Sequence, residues 1–137
     1  MSYLAFIFIL SFLLISCGED SKAKKSNKQS QSSAADKALA SQLVGAWELY
    51  KEVYSDGTVD DYAPGESRMS FNSDGRATQM DEEGTVNVNY RIVGGLLELS
   101  LNGQVGTIKI EIINGELIFH DDLGDGESYK GYYRRIQ

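Results

Sequence analysis

The sequence holds few of the residues on which covalent and metal chemistry depends. Its 137 residues include one cysteine, Cys17, and one histidine, His120. The chain can therefore form no internal disulfide and no thiolate cluster, and a zinc site or a serine triad would have to use His120 alone. It also contains neither a G-x-S-x-G nucleophile motif nor a glycine-rich phosphate loop that opens a helix. These absences predict a protein that is not an enzyme and has no metal or cofactor.

Basic residues are scarce in the larger, C-terminal part of the chain. The formal net charge is −7, from 13 Lys and Arg against 20 Asp and Glu. Residues 18–37 contain five Lys and three acidic residues, so residues 38–137 carry a net charge of −9. A surface of that sign repels phosphate backbones. Nucleic acid is therefore not an expected partner.

Long hydrophobic runs are rare as well, and the one that stands out is the uncharged stretch from Tyr3 to Ile15. Its 13 residues are too few for a transmembrane helix, which needs about 20. They have the length of the hydrophobic region of an export signal. The run ends in Leu14-Ile15-Ser16-Cys17, which resembles the lipobox of bacterial lipoproteins.

The lipobox resemblance implies a covalent lipid anchor on Cys17. In that family the cysteine sulfur receives a diacylglyceryl group, the signal peptide is cleaved before the cysteine, and the new amine is acylated, with palmitate as the expected type of chain. Residues 1–16 are then the signal peptide. Two or three acyl chains, at about 0.8 kcal/mol per buried methylene, hold a protein stably in a membrane. Because Gly18 is not the aspartate of inner-membrane retention signals, we expect the outer membrane of a bacterial cell envelope, with the periplasmic or surface face left open.

Residues 17–37 are expected to be the lipidated cysteine and a flexible polar tether. The stretch from Gly18 to Ala35 consists mainly of Ser, Lys, Gln and Asn and has no large apolar side chain. Such a composition cannot offset the entropy that is lost on ordering. The folded domain is therefore predicted to span residues 38–137. A short helix is predicted from Asp36 to Val44, with Asp36 as its capping residue.

From Trp47 onward, glycine-bearing turn pairs divide the chain at short intervals. Tight hairpins need positive φ at their central residues, which Gly tolerates freely and Asn or Asp tolerates better than most residues. Seven turns predict eight antiparallel strands, with a wider loop around Pro64 between the first two. The seven pairs are Asp56-Gly57, Asp74-Gly75, Glu83-Gly84, Gly94-Gly95, Asn102-Gly103, Asn114-Gly115 and Asp125-Gly126.

Between these turns, apolar residues alternate with polar ones, which gives each strand one buried face. Closing eight such strands removes the exposed edges of the sheet. The predicted fold class is therefore all-β, an eight-stranded antiparallel up-and-down barrel with a short N-terminal helix. A two-sheet β-sandwich uses the same alternation and stays an alternative. The alternating apolar positions include Val86, Val88, Tyr90 and Ile92; Leu97, Leu99 and Leu101; and Ile108, Ile110 and Ile112.

Three segments resemble lipocalin-like domains. Leu43 to Leu49 (LVGAWEL) is similar to their G-x-W opening. Met69 to Gly75 (MSFNSDG) is similar to the F-x-x-D-G hairpin of short bacterial lipocalin-like lipoproteins, and Tyr132 to Arg135 (YYRR) resembles their closing Tyr-x-Arg. The three segments follow one another in the family's order and span roughly residues 39–137.

The lipocalin-like resemblance implies roles for two sets of residues. Gly45 and Trp47, with either Arg134 or Arg135 of the last strand, would close one end of the barrel through a cation–π contact. A ligand would be lined by residues of the buried face, for which the candidates are Met69, Phe71, Val88 and Tyr90. Other tyrosines could add a ring and a hydroxyl to such a pocket, namely Tyr50, Tyr54, Tyr62, Tyr129, Tyr132 and Tyr133.

Acidic clusters beside the turns are expected to be solvated hairpin tips. The densest runs from Asp121 to Glu127, and it departs from the order of an EF-hand calcium loop because Leu123 and Tyr132 fall at ligand positions. The same interpretation applies to Asp60-Asp61 and to Asp81-Glu82-Glu83.

Two functions remain. The leading one is a lipid-anchored, non-enzymatic protein of the cell envelope that binds a small, partly apolar ligand in its barrel. The alternative is a protein-interaction or structural envelope module whose barrel is filled by side chains. A domain of about 100 residues has little apolar volume for a large cavity, so any ligand site is expected to be small. The expected partners are the membrane, through the lipid, and either a small apolar ligand or an envelope protein.

Overall fold

The computed structural model describes residues 33–137, and these form an all-β fold with one short helix. The predicted signal peptide, Cys17 and the tether up to residue 32 lie outside the described residues. Within residues 33–137, no helix has the length and apolar character that crossing a membrane requires.

Nine strands follow the helix α1, which spans Ala34–Leu43. They are β1 Gly45–Tyr54, β2 Val59–Asp61, β3 Arg68–Phe71, β4 Arg76–Asp81, β5 Gly84–Val93, β6 Leu96–Leu101, β7 Gln104–Ile113, β8 Glu116–Gly124 and β9 Glu127–Ile136.

Eight of these strands form a closed antiparallel barrel. Their order is β1-β3-β4-β5-β6-β7-β8-β9, and β9 pairs back onto β1, from Ala46 opposite Ile136 to Tyr54 opposite Tyr129. Because the first and last strands are joined along most of their length, the predicted eight-stranded up-and-down barrel is confirmed. The two-sheet sandwich is excluded by the same pairing.

The ninth strand, β2, lies inside the segment that was predicted to be a wide loop. β3 pairs with Gly45 to Glu48 of β1, and β2 pairs with Lys51 to Val53 farther along the same edge. The segment therefore forms a short strand because β3 leaves the second half of the β1 edge unpaired. The loop itself is confined to residues 62–67, between β2 and β3.

The helix begins two residues earlier than predicted, because Ser33 is its capping residue. The Ser33 hydroxyl accepts a hydrogen bond from the Asp36 backbone N–H at 3.0 Å, and the Asp36 carboxylate accepts one from the Ser33 N–H at 3.1 Å. This reciprocal pair is a capping box. The prediction that Asp36 caps the helix is therefore wrong, since Asp36 occupies its third position.

Asp36 instead attaches the helix to the barrel. Its carboxylate also accepts hydrogen bonds from the backbone N–H groups of Gly95 at 2.8 Å and Gly94 at 3.3 Å, in the turn between β5 and β6. These bonds, with that from Gly95 the most important, hold the pKa of Asp36 below its usual range. The helix thus covers the end of the barrel at which this turn lies.

The two ends of the barrel differ. The closed end carries α1 and the turns at residues 72–75, 94–95 and 114–115, and the open end carries the turns at 55–58, 82–83, 102–103 and 125–126. The core fills the closed half, where Leu43, Trp47, Leu97 and Leu117 are fully buried. Burial of the inward-facing residues decreases toward the open end on β5 and β6, where Val86 and Leu101 are exposed, so the predicted alternation is confirmed with a graded burial on that side of the barrel.

A bulge in β1 changes which of its residues face the interior. The pairing of β1 with β9 shifts register between Leu49 and Lys51. A bulge adds one residue to a strand, so the alternation restarts after it. Trp47 and Leu49 face inward before the bulge, and Glu52 and Tyr54 face inward after it.

Candidate functional site

The closed end is sealed by Trp47 and Arg135. The guanidinium carbon of Arg135 lies 4.3 Å from the centre of the Trp47 ring, which is a cation–π geometry. The same guanidinium donates hydrogen bonds to the carbonyl oxygens of Val44 at 2.8 Å and Gln42 at 2.6 Å. Of the two arginines that the sequence left as alternatives, Arg135 therefore makes this contact, and it also ties the end of α1 to β9.

Gly45 makes room for that arginine. A Cβ atom at Gly45 would lie 2.4 Å from Nη1 of Arg135, and the residue has a φ of +132°, which side chains rarely adopt. The Trp47 indole N–H donates a 2.8 Å hydrogen bond to the carbonyl oxygen of Leu43. In the G-x-W segment, the glycine thus leaves space for Arg135, and the tryptophan supplies the ring that Arg135 covers and the hydrogen bond to Leu43.

Arg134 points the other way and pairs with Glu48 outside the barrel. Its guanidinium donates to Glu48 Oε2 at 2.8 and 3.1 Å, and Arg68 lies 3.4 Å from Oε1. The backbone N–H of Gly65 also donates to Oε1 at 2.7 Å. Arg134 above all holds the pKa of Glu48 below its usual range. Glu48 therefore fastens the loop 62–67 to the barrel wall and has a structural role.

The predicted ligand-lining residues lie together on β3 and β5. Met69, Phe71 and Tyr90 are buried, whereas Val88 is half-buried. The Phe71 and Tyr90 rings meet edge to face with centres 5.1 Å apart. The Tyr90 hydroxyl donates a 2.7 Å hydrogen bond to the carbonyl oxygen of Asn72. Three of the four residues thus form the floor of the barrel interior, and Val88 lies above them toward the open end.

The open end has an apolar wall formed by β5, β6 and β7. Val88, Leu99 and Ile108 are half-buried and pack on the core. Above them on the same faces, Val86 and Leu101 are 45% and 41% exposed. Exposed apolar side chains on the inner face of a barrel are available to a ligand. We call this set the apolar wall.

Opposite the apolar wall lies a buried carboxylate surrounded by tyrosines. Glu52 is 3% exposed, and the hydroxyls of Tyr54 and Tyr62 each donate to its Oε2 at 2.8 Å. Burial, together with the neighbouring carboxylate, raises the pKa of both hydroxyls. Both tyrosines therefore stay protonated and remain donors at neutral pH.

The group is extended by β8 and β9. The Tyr129 hydroxyl donates to Asp121 Oδ2 at 3.3 Å, and the Tyr129 and Tyr54 rings have centres 5.7 Å apart. Burial is the main cause that raises the pKa of Tyr129. We call Glu52, Tyr54, Tyr62, Tyr129 and Asp121 the tyrosine–carboxylate cluster.

The orientation of Glu52 follows from its strand partner. Glu52 is paired with Gly131 of β9, and residues directly opposite each other share one face of a sheet. A Cβ atom at Gly131 would lie 3.5 Å from Leu49 and 3.2 Å from the Tyr133 ring, both of which are buried in the interior. Glu52 therefore points into the barrel, above this layer.

Sequence reasoning named the tyrosines of this cluster as candidates and missed Glu52. It also placed Asp121 in a solvated hairpin tip, whereas Asp121 is half-buried and accepts the Tyr129 hydroxyl. Counted by simple alternation from Trp47 and Leu49, Glu52 falls on the outer face. The bulge after Leu49 reverses this assignment. Because Glu52 and Tyr54 are two residues apart on one strand, the sequence predicts that they share a face. The spacing alone does not show whether that face points into the barrel or outward.

The structure also places the other residues that the sequence suggested as metal or catalytic candidates. Within residues 33–137, no group of three His, Cys, Asp or Glu residues has a metal-binding arrangement. His120 Nε2 lies 3.3 Å from Glu111 on the barrel wall. In the 121–127 hairpin, the Asp122 carboxylate accepts the Gly124 backbone N–H at 2.9 Å, as in an ordinary turn. A concavity of about 410 Å³ involves β4 and β5 and is lined mainly by Asn and Thr side chains and Arg76.

Comparisons with known proteins agree with this architecture. No protein-family model matches the chain, and no curated protein matches it. Among solved structures, the fold is similar to that of a lipocalin-like protein from Bacteroides uniformis, with a TM-score of 0.53 and 19% sequence identity. The similarity covers 69% of this chain and 99% of that chain. At this identity the match shows the fold alone, a closed eight-stranded antiparallel barrel like that of the lipocalin-like neighbour.

Proposed function

We propose that this chain is a lipid-anchored lipoprotein of the bacterial cell envelope whose barrel binds a small, partly apolar ligand at its open end, without catalysing a reaction. The anchor would be the acylated Cys17, in the outer membrane. The observation that carries the ligand proposal is the open end, where an apolar wall faces a tyrosine–carboxylate cluster. An apolar lining with a few convergent polar groups is typical of small-molecule sites.

The packing of the closed half limits the size of this ligand. Trp47, Phe71, Leu97 and Leu117 are at most 2% exposed, so they fill the lower interior with side chains. The proposed site is therefore a shallow one above Phe71 and Tyr90, and a long fatty acid would leave much of its tail in water. A short or compact molecule suits the available depth.

The same packing favours a second candidate function. A barrel with a filled lower half is stable without a ligand, and its acidic open-end turns could contact a protein of the envelope instead. In that case substitutions of the inner-face residues at the open end would not affect the function, because the turns would bind the partner protein. Whether a small molecule binds at the open end separates the two functions.

The anchor is tested by Cys17→Ala. Because the cysteine sulfur is the proposed acylation site, the substituted chain should lose all acyl mass and leave the membrane fraction. Intact-mass spectrometry and fractionation of cells that express the full-length chain measure both. A Ser16→Ala chain, which keeps the cysteine, is the matched control. Acyl mass on the Cys17→Ala chain would exclude this cysteine as the site.

The ligand site is tested by Val86→Asn. This change places an uncharged amide on the exposed part of the apolar wall, so small molecules that co-purify with the wild-type chain should be reduced about tenfold, since burying an unpaired amide against an apolar group is costly. The measurement is mass spectrometry of organic extracts of the full-length protein. Val105→Asn is the control, because Val105 is 54% exposed and belongs to the other face of its strand. Equal yields from both variants would favour the protein-interaction function.

A further inference from the structure

We propose that the ligand of the open end carries a positive charge, and that Glu52 binds an organic ammonium group. This inference rests on the proposed ligand-binding function and specifies the chemical class. It is carried by a buried carboxylate that points into the barrel, by aromatic rings beside it, and by the charge of the open-end turns.

Glu52 is a buried carboxylate without a protein counter-ion. It is 3% exposed, the same as Glu48. Glu48 has Arg134 at 2.8 Å and Arg68 at 3.4 Å, whereas within residues 33–137 Glu52 makes no ion pair. Its two hydrogen bonds both reach Oε2 from neutral hydroxyls, and within residues 33–137 Oε1 is not among the buried oxygens that lack a partner, so Oε1 keeps access from outside the protein. A carboxylate with so little exposure gains from a paired charge, so a cation that reaches Oε1 from outside the chain would complete this site.

The tyrosine rings suit an ammonium group. The faces of aromatic rings attract cations within about 6 Å of the ring centre, and cages of such rings bind quaternary ammonium ligands. Tyr54 and Tyr129 lie with ring centres 5.7 Å apart and an interplanar angle of 35°, next to Glu52 and Asp121. A cation held by Glu52 would lie beside the Tyr54 ring, against which the Tyr129 ring packs.

The charge around the open end attracts cations and repels anions. The three segments 55–61, 81–83 and 121–127 contain ten acidic residues and no Lys or Arg. A field of one sign around a concave site raises the local concentration of the opposite charge. The same field disfavours fatty acids and phosphorylated ligands. Among partly apolar molecules, the negative charge of the open end therefore favours amines over neutral or anionic ones.

The apolar wall defines the rest of the ligand. Val86 and Leu101 lie across the opening from Glu52, on the inner faces of β5 and β6, and they remain about two-fifths exposed. An ammonium head at Glu52 would leave a short alkyl or aryl group against these side chains. The ligand class is therefore a small amphipathic amine, primary or quaternary.

The test compares three six-carbon probes that differ in charge. Hexylammonium, hexan-1-ol and hexanoate are titrated by calorimetry into the full-length protein in nanodiscs, with empty nanodiscs as the blank. Hexylammonium should bind about tenfold or more tightly than hexan-1-ol, and hexanoate should bind more weakly than both. Glu52→Gln should reduce hexylammonium binding to the level of hexan-1-ol and leave hexan-1-ol unchanged. Glu127→Gln, which removes one exposed acidic charge at the same end, should change hexylammonium binding less than twofold.

Each outcome of this comparison decides one proposal. If hexan-1-ol binds and hexylammonium binds no better, or if Glu52→Gln leaves hexylammonium binding unchanged, the ammonium inference is wrong while ligand binding stands. If none of the three probes binds the wild-type chain and no molecule co-purifies with it, the proposed function fails as well. The probe series on the unsubstituted chain tests the preference for positive charge even if Glu52→Gln does not fold.

Discussion

Replacing Trp47 with alanine is expected to lower the free energy of unfolding by about 3–5 kcal/mol. The Trp47 side chain is fully buried, so its removal leaves a large cavity in the closed half of the barrel. The variant also loses the hydrogen bond to the Leu43 carbonyl and the stacking partner of Arg135. Because small domains have net stabilities of about 5–15 kcal/mol, this loss is a large fraction of the total.

The Trp47→Ala measurement is a urea titration followed by far-ultraviolet circular dichroism, because Trp47 is the single tryptophan and its fluorescence is lost with it. Leu123→Ala is the control, since Leu123 is 51% exposed and its truncation should change the free energy of unfolding by less than about 0.5 kcal/mol. A loss below about 1 kcal/mol for Trp47→Ala would mean that the closed end is not held together by this residue.

Substituting Gly45 with alanine should cost about 2–4 kcal/mol, from two separate causes. The first is backbone strain, since a φ of +132° costs a residue with a side chain about 1–3 kcal/mol. The second is displacement of Arg135, whose Nη1 lies where the new Cβ would be. The guanidinium is the flexible end of its side chain and can move away, but it then loses the Trp47 ring and the carbonyls of Gln42 and Val44.

Gly84→Ala separates these two causes. Gly84 has a φ of +137°, almost the same as Gly45, but a Cβ atom there would have no neighbour within 4 Å. Gly84→Ala should therefore show the backbone strain alone, and chemical denaturation of both variants gives the difference. In an Arg135→Ala background, the part of the Gly45→Ala loss that comes from displacing Arg135 should disappear, as a double-mutant cycle would detect. Equal losses for both glycine variants would show that the contacts of Arg135 contribute nothing measurable.

The fold could be predicted because its determinants are local. Asn102 and Asn114 have φ of +52° and +54°, each followed by a glycine of positive φ, as the tight hairpins of an antiparallel barrel require. Inward positions such as Ile92, Leu97 and Ile110 are buried, as the alternation predicts. Turn chemistry and alternation act within one strand or one hairpin, so the sequence alone reveals them.

The candidate site could be predicted only in part, because it depends on contacts that are distant in the chain. The tyrosines could be named as candidates from their number. The inward orientation of Glu52 depends on a bulge that appears only in the pairing of β1 with β9. In the same way, Asp36 looked like a helix cap because its bonds to the turn at Gly94 and Gly95 are tertiary contacts.

The pairing of the first strand with the last has a consequence for how the chain reaches its native state. Ala46 cannot pair with Ile136 until nearly the whole sequence has been synthesised. Before β9 is made, the growing chain therefore exposes two unpaired strand edges, one on β1 and one on β8. Contacts between residues so far apart in sequence make folding slow, and open edges invite association with other chains. A protein that must pass an export channel before it folds would benefit from such a delay, and a chain that lost its last ten residues would keep those edges and aggregate.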